Sequence, residues 1–363
     1  MSAPLIQIGA VRPRLPDWAR RSRTHFESLN RLKTSFRKLN LHTVCESARC
    51  PNIHECFHRG AATFMILGNW CTRGCGFCAV PKANPAGTDM RLDPAEPSNV
   101  ARMAAGMKLR YVVITSVNRD DLADGGSRHF AETVREVRRA LPEARVEALI
   151  PDFNGDLDGA GRVLEAGAHV LNHNMETVAR LYRRVRPQAD YRRSLRVLAF
   201  ASEWARDRNE PPSAGGSTGP VERASGLPCR LPGRHLSERN NAGADAGVAG
   251  QEAHSTESSR RAPAEPLRLT KSGFMVGLGE TEAEVRGLLE DLREAGTDVA
   301  TIGQYLQPTR RNLPVAAYIE PRQFEAYREY GLSLGFKMVF SGPLVRSSYM
   351  ADAVSEEALR PPC

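Results

Sequence analysis

Long apolar runs are missing. No stretch of the 363 residues approaches the roughly 18 consecutive apolar residues that a membrane-spanning helix needs, so no membrane partner is expected. An export signal is missing too. The opening MSAPLIQIGAVRPRLPDWARR holds one short apolar patch broken by prolines and arginines, with no h-region and no small-residue cleavage site, which predicts a cytoplasmic protein. Acids are scarce at the same end: residues 1–44 carry nine Lys and Arg against two acids, nearly all of the net charge of +8. The basicity is an arm and not a field. That arm lacks a groove-reading motif and interleaved aromatics, so no nucleic acid is expected; an acidic protein partner or a solvated face fits better.

Aromatic residues are absent from residues 206–265, which hold eight Gly, six Pro and seven Ser. Such a stretch cannot bury enough apolar surface to offset its chain entropy, so it reads as a disordered insertion. It leaves a predicted helix, Tyr191 to Ala201, and re-enters at a strand. In a parallel barrel such connections lie on the face opposite the active site.

What is present is an enzyme-sized composition, 41% hydrophobic and 25% charged, enough for one large domain or two and for a sizeable core. Short apolar runs predict strands at Thr63 to Gly68, Tyr111 to Thr115, Arg145 to Ile150, His169 to Leu171, Thr270 to Val276 and Val299 to Ile302. Amphipathic segments such as RHFAETVREVRRAL and EAEVRGLLEDLREAG lie between them, at helical spacing. Repeated β-α alternation means a parallel sheet with helices outside it. Polar residues follow every strand: Cys71; Ser116, Asn118, Asp120 and Asp121; Asp152; Asn172, Asn174 and Glu176; Gly277, Gly279 and Glu280; Gln304 and Gln307. An open sheet collects its ligand at one crevice, whereas a barrel gathers residues from all its strand ends around one mouth. The expectation is an α/β fold, a partial (β/α)6 barrel.

Six of the eight cysteines fall within 34 residues. Clustered thiols in a reducing compartment suggest metal rather than disulfides; Cys229 and Cys363 lack ligand spacing and read as bystanders. CTRGCGFC places Cys71, Cys75 and Cys78 directly after the first strand. A structural zinc site wants four ligands and a complete four-iron cluster wants four cysteines, so three thiolates leave one iron open to a small molecule. CESARCPNIHEC supplies a second triplet, Cys45, Cys50 and Cys56, for which zinc with His54 or His58 is a rival reading. Near the far end GPLVRSSYMAD places Arg346, Ser347, Ser348 and Tyr349 beyond a short apolar run, where paired serines are ordinarily cap or turn residues. Glu147 inside a strand is costly unless paired. Arg186 and Asp120 fit function and surface ion pairs equally, and GLGE at Gly277 to Glu280 reads as a turn rather than a phosphate loop.

The CTRGCGFC spacing resembles the signature of the radical S-adenosylmethionine family, in which the open iron chelates the cofactor and an electron cleaves its sulfonium bond to a deoxyadenosyl radical. Together with Pro16 to Trp18, CESARCPNIHEC, ATFMILGNW, TSVNRDDLADGG, NHNMETV, VRPQADY, TKSGFMVGLGET, QYLQPT and RSSY, it resembles the lipoyl synthase family over nearly the whole chain outside the insertion. That resemblance implies a radical-SAM-type partial barrel at 63–340, an N-terminal arm at 1–62 and a C-terminal segment at 341–363, the two extensions carrying an auxiliary iron-sulfur site. It implies two 4Fe-4S clusters and S-adenosylmethionine as cofactors, with Ser348 as an unusual oxygen ligand to the cluster on Cys45, Cys50 and Cys56. That cluster is consumed as the sulfur source for C6 and C8 of a protein-bound octanoyl-lysine. Strand-end position and family likeness make Ser116, Asn118, Glu147, Asn172, Asn174, Glu176, Arg186 and Lys271 candidates for holding S-adenosylmethionine or the substrate carbonyl.

The implied partners are octanoylated carriers (lipoyl domains of 2-oxoacid dehydrogenase E2 subunits and the glycine cleavage H protein), a ferredoxin- or flavodoxin-type electron donor, and iron-sulfur assembly proteins. An alkyl C–H bond offers no acidic proton, so such chemistry belongs to a cofactor while the protein positions and shields. The alternatives are an iron-sulfur electron carrier, another radical sulfur inserter acting on a free small molecule, and a chain inactivated by its insertion.

Overall fold

The short apolar runs between polar turns become strands buried on both faces, as parallel strands covered by helices must be. In chain order these are β1 (His42–Thr43), β2 (Thr63–Ile66), β3 (Tyr111–Ser116), β4 (Arg145–Leu149), β5 (Val170–Asn172), β6 (Leu269–Val276), β7 (Val299–Gln304) and β8 (Met338–Gly342). They lie side by side in that same order in one sheet. β2 to β8 are parallel; β1 pairs antiparallel with β2. The sheet is a curved wall that does not close, with β1 and β8 at its edges. The structure is a computed structural model and describes residues 16–19, 26–58, 62–84, 87–209 and 269–358.

All six expected strands are present within a residue or two of their expected ends. A seventh parallel strand, β8, extends the expected six-unit barrel; its sequence MVFSG is half-exposed and lacks a period that marks it. The helices are α1 (Phe26–Lys38), α2 (Val44–Ser47), α3 (Ile53–His58), α4 (Glu96–Gly106), α5 (Ser127–Ala140), α6 (Leu157–Glu165), α7 (Tyr182–Val185), α8 (Tyr191–Asn209), α9 (Glu282–Glu294), α10 (Pro321–Ser333) and α11 (Ala351–Ala358). α5 shows why they sit outside the sheet: Phe130, Val134 and Val137 fall on one face and are fully buried, each contributing roughly 1.5–3 kcal/mol. α9 starts at a capping box, the Thr281 hydroxyl accepting from the Glu284 amide and the Glu284 carboxylate from the Thr281 amide. α8 continues to Asn209, so the first four residues of the expected insertion are helical. The rest of it, 210–265, lies outside the described residues and joins the end of α8 to the start of β6.

The first connection after β2 is unusually tight. Leu67 (φ 67°) and Gly68 (φ 84°) both turn left-handed. The Glu96 carboxylate holds them there, accepting from the amides of Leu67 (2.8 Å) and Gly68 (3.3 Å) while bonded to His129 Nε2 (2.8 Å). Gly126 (φ 86°) packs so closely that a Cβ on it would lie 2.5 Å from a Leu67 methyl. This turn delivers Cys71.

Candidate active site

A cavity of about 1700 Å³, whose walls include both cysteine triplets, opens at the C-terminal ends of the strands and runs back along β3 and β4 to Tyr111 and Arg145. Two loops 15 residues or more apart in sequence therefore share one chamber. The Cys71–Cys78 loop is held from several sides. Cys71 N donates to Pro81 O, Gly76 N to Val185 O, Leu313 N to Gly76 O, and the Asn312 amide to the carbonyls of Gly76 (3.1 Å) and Cys78 (2.9 Å). Arg73, inside the loop, is 3% exposed. Its guanidinium donates to both Asp120 oxygens (2.8 and 2.9 Å), to Asp152 (2.6 Å) and to Asn154 (2.8 Å), tying the loop to the turns after β3 and β4. Burial alone would raise Asp152, but the hydrogen bond and charge of Arg73 outweigh it and the carboxyl lies below its ordinary range.

The second triplet meets the far end of the chain. Asn52 donates to Leu344 O (2.8 Å) and the Tyr349 hydroxyl to Glu55 (2.9 Å), so the segment after β8 is fastened over α3, which carries Cys56. Arg346, Ser347, Ser348 and Tyr349 line the same cavity as Cys45, Cys50 and Cys56. The two serines differ. Ser347 accepts from the Asn174 amide (3.1 Å), whereas the Ser348 hydroxyl has no hydrogen-bond partner among the described residues.

Burial raises the thiols of Cys45 and Cys75, and pushes that of Cys78 up to about 12. A bound cation would supply the charge that turns them into thiolates. Among the described residues no three His, Cys, Asp or Glu side chains are drawn up around a single metal ion.

Of the expected contacts, Ser116, Asn118, Asn174, Glu176 and Arg186 line the cavity. Asn174 donates to Glu176 (3.0 Å), and Arg186 donates to the carbonyls of Asn174 (2.9 Å) and Met175 (3.2 Å). Burial pushes the Glu176 carboxyl upward, with Arg186 and Asn174 acting against it. Ser116 Oγ, Asn174 Oδ1 and Arg186 Nε are buried without partners. Three orphaned polar atoms beside a cysteine loop fit a polar, zwitterionic ligand, because leaving each unpaired costs about 1–3 kcal/mol. Arg186, only 8% exposed, is not a surface ion pair.

Glu147, Asn172 and Lys271 are placed differently from the other five. Lys271 Nζ donates to both Glu147 oxygens (3.1 Å each), and Asn172 (2.8 Å) and the Tyr111 hydroxyl (2.7 Å) donate to the same carboxylate. Glu147, Asn172 and Lys271 are held together inside the barrel and are not among the residues lining the cavity, which Tyr111 does line; Asn172 Oδ1 is left without a partner. Gln304 is likewise spent on backbone, through Tyr305, Ala317 and Ile319. GLGE is a turn: Gly277 and Gly279 have φ of 98° and 110°, and Glu280 accepts from the Gly277 and Leu278 amides. Arg73, Glu96 and Asn312 escaped sequence reasoning because each works through backbone or through partners far away in the chain.

The comparisons with known proteins agree with this geometry. Residues 65–204 match the model of the Radical SAM superfamily. The class is thus that of enzymes built around a 4Fe-4S cluster and S-adenosylmethionine. Residues 5–50 match the N-terminal domain of lipoyl synthase of that family. Lipoyl synthase of Rubrobacter xylanophilus is 45% identical over 345 residues, 95% of this chain and 88% of its own. That of Caldanaerobacter subterraneus is 44% identical over 339 residues, 93% of this chain and 96% of its own. The chain belongs to the lipoyl synthase family. Among solved structures, methylornithine synthase aligns with a TM-score of 0.44 at 15% identity, covering 88% of this chain and 71% of that one.

Proposed function

We propose that the chain inserts two sulfur atoms, at C6 and C8, into an octanoyl group carried on a lysine of a lipoyl carrier protein. The observation that carries this reading is the single chamber of about 1700 Å³ bounded by both triplets and by the RSSY segment. A one-cluster carrier of electrons needs no such room. The carriers we assign are the lipoyl domains of 2-oxoacid dehydrogenases and the glycine cleavage H protein, met in the cytoplasm and served by iron-sulfur assembly proteins.

Cys71, Cys75 and Cys78 would hold a 4Fe-4S cluster with one open iron, and Ser116, Asn118, Asn174, Glu176 and Arg186 would hold S-adenosylmethionine against it. When bound, these groups supply a radical able to take hydrogen from an unactivated carbon. The chain's own work is placement. Arg73 fixes the height of the cysteine loop over the strand ends, because moving it breaks ion pairs to two other turns. Arg186 braces Asn174 through its backbone carbonyl and leaves Nε toward the ligand. Glu147 and Lys271, held by Asn172 and Tyr111, offset each other's charge in the barrel interior. Cys45, Cys50, Cys56 and Ser348 would hold the second 4Fe-4S cluster, which is a substrate as well as a resident because it gives up sulfur. A serine oxygen on thiolate-bound iron is a harder, more exchangeable ligand than a fourth thiolate.

The test is anaerobic reconstitution followed by iron and sulfide analysis and reaction with an octanoyl-lysine peptide. About eight irons per chain are expected from two four-iron clusters. Ala at Cys71, Cys75 or Cys78 should abolish deoxyadenosine formation, while Ala at Cys45, Cys50 or Cys56 should spare it and stop sulfur insertion. Ser348→Ala should keep cofactor cleavage and cut lipoyl product strongly, with Ser347→Ala milder. Four irons only, zinc, or equal losses from both serine variants would overturn the assignment.

A further inference from the structure

Building on the reading that the Cys71–Cys78 loop holds a cluster needing an external electron, we propose that the outer rim of this loop is the docking surface for an acidic one-electron carrier protein. Four segments touch the loop: its own continuation to residue 88, residues 177–189, residues 305–319, and the turn after β3, whose Asp120 and Asp121 are paired with Arg73 and Arg119. The first three contain no Asp or Glu. All three touch the loop directly, through Cys71 N to Pro81 O, Gly76 N to Val185 O and the Asn312 bonds to Gly76 and Cys78.

The cations on these segments divide sharply. Arg73 and Arg186 are buried, and Arg180 is paired with Glu284. Arg183, Arg184, Arg310 and Arg311 are exposed, and among the described residues none of the four is in an ion pair; Lys82 lines the chamber instead. Elsewhere some exposed arginines find carboxylates within their own helix or turn, as Arg91, Arg286, Arg322 and Arg328 do, whereas others, Arg110 and Arg192 among them, are in no ion pair among the described residues. Beyond the first 44 residues the chain is close to neutral, so this concentration is not a share of a general excess.

Arg183 and Arg184 sit next to Val185, and Arg310 and Arg311 next to Asn312, so both pairs adjoin the residues that hold the loop backbone. Unpaired like charges that repel one another are retained at a cost to the free protein, which an incoming surface of opposite sign relieves. An electron must arrive here rather than through the chamber, which the octanoyl chain and S-adenosylmethionine fill. In each encounter the carrier loses one electron and the cluster gains it, and no atom is exchanged.

The test uses the full chain, loaded anaerobically, with an acidic flavodoxin in its hydroquinone form as the protein donor and dithionite as the small one. In the variant R183E/R184E/R310E/R311E, flavodoxin binding measured calorimetrically at low salt should weaken about 10-fold or more, the scale on which electrostatic steering acts. Flavodoxin-driven bleaching of the cluster should slow to match and lose its salt dependence, and the all-Gln variant should fall between. Dithionite-driven bleaching should match the parent. Unchanged flavodoxin binding overturns the proposal. So does an equal loss with both reductants, which would assign the arginines to loop geometry. A raised KM for the octanoyl carrier domain with flavodoxin binding intact would give the surface to the substrate instead. Failure of the parent protein to cleave S-adenosylmethionine with dithionite would sink the enzymatic reading itself, and the binding measurement would still decide the surface.

Discussion

Lys271 and Glu147 are 1% and 0% exposed, and each is worth keeping only while the other is there. Removing one partner of a buried pair strands the other charge, at about 3–5 kcal/mol, whereas removing both is far cheaper. Lys271→Met should therefore lower stability by about that amount in urea unfolding, and the double variant E147Q/K271M should recover most of it. A second residue-scale consequence concerns acid. Burial holds His173 down to about 4, its Nδ1 bonded to Ile150 O and its Nε2 without a partner. The unfolded chain takes up a proton near pH 6.5 while the folded chain resists until about 4, so stability is complete above 6.5 and declines as the pH falls through that window. The decline should reach roughly 3 kcal/mol at most, followed by a further loss below the ordinary carboxyl range as Asp152 protonates. His173→Gln should flatten the first phase of a thermal-melting series against pH. Single residues were the least legible level of the sequence. Cysteine spacing is printed in the chain and needs no fold to be seen. The split of eight polar candidates into five on the cavity wall and three bonded beneath it depends on register, Glu147 opposite Val170 and Asn172 opposite Lys271, which no local pattern reveals.

At the scale of elements, the strands were legible because burial on both faces forces continuous apolar runs, and α5 and α9 because burial on one face forces a stripe. β8 escaped since an edge strand with Ser and Gly has neither mark. The clamp on the turn after β2 was also invisible, because Glu96 opens a helix about 30 residues downstream of the turn it holds. Two helix-start substitutions should separate local from site-directed effects. Thr281→Ala removes the capping box of α9 and should cost about 1 kcal/mol, with iron content after reconstitution unchanged. Glu96→Ala leaves the Leu67 and Gly68 amides without their acceptor, at about 1–3 kcal/mol for each buried donor. It should also lower iron retention at the Cys71 triplet, read by the loss of deoxyadenosine formation per chain.

For the whole molecule, the open wall of strands is completed by its own two ends. The segment of α2 and α3 and the segment after β8 meet through Asn52 and Leu344, 292 residues apart, while the described residues form one compact unit. The long stretch poor in apolar residues joins the end of α8 to the start of β6, and the residues lining the cavity include neither Asn209 nor Leu269. Replacing residues 210–265 with a short Gly-containing turn should therefore leave a soluble chain that binds two clusters and cleaves S-adenosylmethionine at the parent rate. A variant that holds both clusters and fails to cleave would place the stretch at the active mouth.

The meeting of the two ends also has a consequence in time. During synthesis the CESARCPNIHEC segment leaves the ribosome early, but Leu344 and the RSSY residues that face it are among the last to emerge. The Cys71 loop has most of its supports by the time β7 is made; the other chamber wall has none of its C-terminal half until translation is nearly over. On the proposed reading, a cluster held by Cys45, Cys50, Cys56 and Ser348 would be loaded only after translation. A message truncated after the codon for Gly342 would yield a protein with seven parallel strands and without Leu344 and Tyr349, the residues that meet the α3 segment.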